Sequence, residues 1–222
     1  FDIRKTLIKF DNVLNDQRHV IFSQRKDAMD SEKIFEYSEV FLKEILDDFI
    51  KLKIKTLSNP KNKDFENQVK SIIGNSANKE EIEALINSKD ENFKKEIENR
   101  FDNSRKHRIE QLGEINAKEL EKRIFLQTID LNWKLHIQYL EQLRQVIGLR
   151  SYGQRDPLIE YKKEAFELFE NLLNKLKLDY INILMNLRVV TQNEKKIETP
   201  KPKVIDPKYV GKKMSRNEPC FC

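Results

Sequence analysis

Apolar residues return along this chain at helical spacing, and the stripes they draw predict its elements. Ile3, Leu7, Phe10, Val13, Leu14, Ile21 and Ala28 share one face, with Lys5, Lys9, Asn12, Asp16 and Lys26 on the other, so residues 3–28 read as one amphipathic helix. Asp30 and Ser31 offer caps for a second helix near 32–57, whose stripe holds Ile34, Val40, Phe41, Ile45, Leu46 and Phe49. The run Ser58-Asn59-Pro60-Lys61-Asn62 then breaks the pattern. Shorter, more polar pieces follow: a helix near 65–73 stopped by Gly74, and another near 79–87 after Asn78. From Asp90 to Leu112 charges dominate, with pairs such as Glu91 and Lys95 at supporting i,i+4 spacing, and the middle section is expected to bury little.

The strongest pattern covers residues 117–147. Leu126, Ile129, Trp133, Ile137, Leu140 and Ile147 form one stripe, and Ile124, Leu131 and Leu135 form a second nearly opposite it. A helix apolar on two sides packs between neighbours, so this one is expected at the centre of the molecule, with Trp133 against another helix. After a break at 148–157, a broad stripe runs through Leu158, Ala165, Phe166, Phe169, Leu172, Leu173, Leu176, Tyr180, Ile183, Leu184 and Leu187. Two long helices joined by a short connection predict an antiparallel hairpin. Asp156-Pro157 is a suitable start for its second arm, because proline is accommodated at the first helical position. Past Thr191 the periodicity stops, and a Lys-, Pro-, Glu- and Asn-rich stretch to Lys213 predicts a mobile tether.

The fold class is therefore all-α. Five glycines and six prolines in 222 residues are too few for a β fold built on tight turns. With 38% apolar and 36% charged residues, long helices with wet outer faces fit better than one thick core. A net charge of +5 from 42 basic and 37 acidic residues is a mixture of signs rather than a basic stripe, which argues against a nucleic-acid partner. No stretch reaches the roughly 20 apolar residues of a membrane span, no signal peptide is visible, and Cys220 and Cys222 sit too close to staple the fold, so a cytosolic chain is expected. Phe1 in place of methionine predicts a fragment or a processed product.

Little catalytic chemistry stands out. Gly148-Leu149-Arg150-Ser151-Tyr152-Gly153 has the glycine spacing of a phosphate loop, but Gln154-Arg155 replaces the required Lys and Ser/Thr, and no strand precedes it. His19, His107 and His136 are scattered along helices and read as surface or structurally satisfied histidines. Cys220-Phe221-Cys222 supplies two thiols on one side of a metal, where a structural zinc site closes with four ligands, so half a zinc site and an incidental pair both remain open on spacing. In the hairpin loop, Tyr152 stands between Ser151 and Gly153 and is bracketed by Arg144, Arg150 and Arg155. A ring on a small-residue tip has little local cover and is available to an extended polypeptide, or it folds back onto the hairpin.

Three stretches together resemble one family, SecA, the ATP-driven motor of bacterial preprotein translocation. They are Arg4 to Arg18; the set Leu126 to Asp130, Trp133 to His136, Leu143-Arg144, Ile147 to Pro157 and Glu160 to Lys162; and Arg216 to Cys222. The resemblance implies the end of a long scaffold helix at 1–28, a peripheral helical wing at 29–113, scaffold with a two-helix finger at 114–188, a flexible linker at 189–213 and a truncated zinc motif at 214–222. It implies that Tyr152 is the fingertip touching preprotein near the membrane channel, with Arg144, Arg150 and Arg155 as supporting contacts. Cys220 and Cys222 carry over as two of four zinc ligands, Phe221 standing where the family usually has proline. The implied partners are the protein-conducting channel, unfolded preprotein, motor domains of the same protein and, through the tail, an export chaperone and acidic phospholipids. The implied location is the inner face of the plasma membrane. Neither nucleotide-binding domain is present, so no ATP hydrolysis is expected of this chain alone. The competing reading is a self-standing helical scaffold or adaptor with no translocation role.

Overall fold

The computed structural model describes residues 2–29, 33–58, 64–74, 77–149 and 156–188, and the following account concerns those residues. Among them every regular element is an α-helix: α1 (Asp2–Met29), α2 (Ile34–Ser58), α3 (Asp64–Ile73), α4 (Lys79–Asn87), α5 (Asp90–Leu112), α6 (Glu114–Ile147) and α7 (Pro157–Asn186). Each stops where the sequence supplies a reason. Gly74 follows α3 with φ 57, and a Cβ there would overlap the Asn186 side chain on α7. Asp156 caps α7 by accepting a 2.8 Å hydrogen bond from the Leu158 amide, with Pro157 at the first helical position. Between α5 and α6 stands one residue, Gly113, at φ 79.

α6 and α7 run antiparallel. Phe125 meets Tyr180 (4.9 Å between rings), Asn132 donates to Asp179 (3.2 Å), and His136 lies 5.8 Å from Phe169. α1 lies along both. It is antiparallel to α6, through Arg25 with Asp130, Gln17 with His136 and Asp11 with Arg144, and it brings Phe10 edge-on to Tyr161 of α7 at 4.8 Å. The other helices form a lobe beside the α6 start and the α7 end. α2 and α5 are antiparallel, tied by Lys53 to Asp90 (2.9 Å), Lys94 to Asp47 (2.5 Å) and Arg105 to Glu39 (2.8 Å).

This lobe corrects one expectation. The charge-rich stretch from Asp90 to Leu112 was expected to bury little, yet Phe93, Ile97, Phe101, Arg105 and Arg108 of α5 are all buried. Phe93 packs on Phe49 (6.4 Å) and Phe65 (5.7 Å), and this aromatic trio anchors the larger core. Most charges of α5 occupy its outer face, while Phe93, Ile97, Phe101 and Arg105, one residue in four, line the inner face with Arg108. Two stripes also shift. Val40 is 50% exposed while Ser38 and Leu42 are buried, and Phe166 is 59% exposed while Ala165 is buried. Ala165 faces α1, where its carbonyl accepts a 3.0 Å hydrogen bond from the Gln17 side chain, and Phe166, one residue on, turns outward.

Candidate functional site

The hairpin end where α6 finishes and α7 begins is the place the sequence marks as functional, and a small core holds it. Phe10, Leu140, Leu143, Ile147, Tyr161 and Ala165 are buried together there, separate from the larger core. Behind them lies a polar lock through three helices. Gln17 donates from Nε2 to the Ala165 carbonyl, so its Oε1 must accept, and it accepts from His136 Nε2–H at 2.8 Å. That geometry requires a proton on His136 Nε2. Burial keeps the ring neutral, holding the imidazole pKa down at about 4. His136 is thus the structurally satisfied histidine that its setting implied, whereas His19 and His107 are exposed.

Of the residues singled out at the tip, Arg144 lies in the last turn of α6, and its Nη1 is 3.2 Å from Asp11 Oδ1 and 4.0 Å from Glu141. It spans to α1. Arg150, Tyr152 and Arg155 lie outside the described residues, as do Cys220 and Cys222. Among the described residues, no three His, Cys, Asp or Glu side chains come together as metal ligands. No helix among them is long and apolar enough to cross a membrane. Trp133 is partly buried, packs against the larger core and lies 5.6 Å from the His136 ring.

The two-sided pattern of α6 is partly filled. α1, α2, α5 and α7 all pack on α6, but the second stripe is only half covered: Ile124 is buried, Leu135 is intermediate and Leu131 is 61% exposed. A groove of about 390 Å³ runs there between α6 and α7, lined by Ile124, Leu131, Asn132, Asp179 and Ile183.

A second polar assembly, which the sequence reading missed, joins the lobe to the hairpin. Glu121 of α6 is fully buried, and its carboxylate accepts from Arg108 Nη2 at 2.8 Å and from Ser38 Oγ at 3.4 Å. Arg105 Nε lies 3.6 Å from the same carboxylate, its Nη1 donates to Glu39, and its Nη2 donates to Ser38 Oγ. Arg108 also donates to the Leu184 carbonyl of α7 at 2.7 Å. The Arg105 guanidinium stacks over Phe35 (4.5 Å) and Phe101 (4.8 Å). The available signal was positional: Phe93, Ile97 and Phe101 step by four, and Arg105 continues the same face.

These features define a class, a helical scaffold in which a three-helix rod carries a packed lateral lobe. Comparison then places it: residues 1–188 match the family described as the SecA wing and scaffold domain, and the chain belongs to that family. The chain is 59% identical over 227 residues to the protein translocase subunit SecA of Pelagibacter ubique, covering 99% of this chain and 27% of that protein. It is 40% identical over 195 residues to the SecA 1 subunit of Rhodopseudomonas palustris (86% of this chain, 21% of that protein). With the SecA of Caulobacter vibrioides it shares 35% over 209 residues (93% and 23%). The chain therefore spans about a quarter of the length of the curated relatives it matches.

Proposed function

We propose that this chain is the wing and scaffold portion of a SecA-type translocase, and that it passes movement from ATP-hydrolysing domains of the same protein to unfolded preprotein at a membrane channel. The observation that carries this reading is the family match along residues 1–188, together with relatives that are translocase subunits along nearly the whole chain. The self-standing adaptor draws no support from them. In this reading the α1, α6 and α7 rod is the lever, because a bundle locked by Gln17, His136 and Ala165 transmits displacement rather than absorbing it.

Tyr152 is the contact with moving preprotein. Such a contact must serve many sequences, so it is apolar and undemanding, with Arg150 and Arg155 orienting the tip near polar loops or lipid headgroups. Cys220 and Cys222 supply two thiolates to a zinc site whose other ligands come from outside this sequence, and a closed site of that kind gives a tail its fold. That tail engages an export chaperone and acidic phospholipids. The protein works in the cytoplasm, held peripherally at the membrane. ATP hydrolysis belongs to domains beyond this chain.

The test is translocation of a preprotein into channel-bearing vesicles by the complete protein. Tyr152→Ser is expected to lower the rate several-fold and Tyr152→Phe to preserve it. Equal loss in both variants assigns the role to the hydroxyl and overturns the apolar contact. Full activity of Tyr152→Ser removes the contact altogether.

A further inference from the structure

The buried assembly of Arg105, Arg108 and Glu121 sits where apolar packing would be the ordinary solution. Exposure is 7%, 1% and 0% respectively, and the neighbouring Tyr180 is also fully buried. Taking three charges out of water costs several kcal/mol per ion, and well-packed apolar side chains of similar size often give equal or greater stability. Stability alone therefore does not account for it. What charges give and apolar surfaces do not is direction, since a hydrogen bond to a carboxylate tolerates little rotation.

The apolar contacts across this joint are less demanding. Phe41 of the lobe lies tilted against Phe125 (5.7 Å) and edge-on to Tyr180 (6.3 Å) of the hairpin, and such aromatic contacts tolerate a wider range of angles than a charge-assisted hydrogen bond. Most other polar links are at the surface, where water competes with them, and Ser104 to the Leu184 carbonyl (3.4 Å) and Asn186 to the Ile72 carbonyl (3.2 Å) are half-buried. Asn182 donates to Ser71 (2.7 Å), Asn186 reaches the Ser71 carbonyl (3.2 Å), and Lys177 meets Glu44 (2.6 Å). Among the described residues, the buried assembly joins α2, α5, α6 and α7 at one point. It does so beside the single-residue elbow at Gly113, about which the lobe would otherwise turn.

We propose that Arg105, Arg108 and Glu121 are positioning residues that select the one angle at which the wing lobe stands on the scaffold hairpin. The assembly acts on geometry more than on stability. Glu121 is the key member, because it is the one fully buried acceptor that Arg108 and Ser38 share. The inference goes beyond the translocation reading and stands or falls independently of it.

The experiment measures the distance between labels on non-canonical side chains at exposed Asn99 (lobe) and Lys163 (hairpin) in the intact protein, alongside thermal unfolding. The unaltered protein is expected to give one narrow distance distribution. Replacing the assembly with apolar groups (Arg105→Met, Arg108→Leu and Glu121→Leu together) is expected to keep or raise the melting temperature while broadening the distribution into more than one distance. A merely structural role predicts the reverse, a lowered melting temperature with the distribution unchanged. A narrow, unshifted distribution in the apolar variant overturns the proposal. Should that variant lose helicity, Glu121→Gln decides. It preserves shape and removes the charge, and it is expected to raise the population away from the native distance about a hundredfold, from a partner loss of about 3 kcal/mol. An unchanged distribution in Glu121→Gln likewise overturns the proposal.

Discussion

The lobe core and the hairpin-end core are built differently. In the lobe, Phe49, Phe65 and Phe93 interlock with Ile72, Ile97 and Phe101, and helices approach from several sides. At the hairpin end there are six buried apolar residues, one of them Ala165, and three helices side by side. Apolar area dominates the first. The second is thin, and it adds a polar lock in which Gln17 bridges His136 and Ala165. The lesson is that three helices side by side cannot gather a thick core, and directional bonds between them add the stiffness that area does not supply.

The comparison breaks most sharply at Phe93. It is fully buried among rings, and Phe93→Ala is expected to cost about 3–5 kcal/mol in thermal or denaturant unfolding. A cost under about 1 kcal/mol would show that the lobe core is loosely packed.

At the hairpin, the expected signature is pH. The folded pKa of His136, about 4, lies below the unfolded value near 6.5. The unfolded chain then binds the proton first as pH falls, so stability contributed by neutral His136 is present above about 6.5 and lost between there and about 4. The slope is at most about 1.4 kcal/mol per pH unit. Melting temperature across that window should fall more steeply in the unaltered protein than in His136→Gln, and parallel curves would remove His136 from the lock.

A smaller effect is expected from Gln17→Ala, which strips two hydrogen bonds but little volume. About 1–3 kcal/mol should be lost, with a lower melting temperature and faster amide exchange at the hairpin end than in the lobe. The smallest is Asp156→Ala, which removes the α7 cap and is expected to cost about 1 kcal/mol.

Much of this was legible in the sequence because local rules governed it. The long helices, the stop at Gly74 and the Asp156-Pro157 start follow from periodicity and capping chemistry, which need no knowledge of neighbours. α5 was misread because its charges outnumber its apolar residues, although Phe93, Ile97 and Phe101 suffice when every one of them is buried. Its two buried arginines were invisible for a related reason: a charge run is normally a wet face, and only tertiary partners such as Glu121 make it otherwise. The exposure of Phe166 beside buried Ala165 likewise depends on which face another helix covers. Within the candidate site, Arg144 is described and bonded to α1, while Tyr152, Arg150, Arg155, Cys220 and Cys222 lie outside the described residues.

The joint at Gly113 has a consequence for observation. With one residue between two helices, the amide of Gly113 bonds back to the Ile109 carbonyl (2.8 Å), and its own carbonyl receives the amide of Ala117 (3.0 Å). Two torsions are the whole of its freedom. The Gly113 amide moves with α5 and its carbonyl with α6, so turning about these two torsions swings one body against the other and leaves both bonds whole. The backbone protons of Gly113 and Ala117 would therefore stay slow to exchange with deuterium while the joint turns, so fast exchange there would report fraying of a helix end and not a swing.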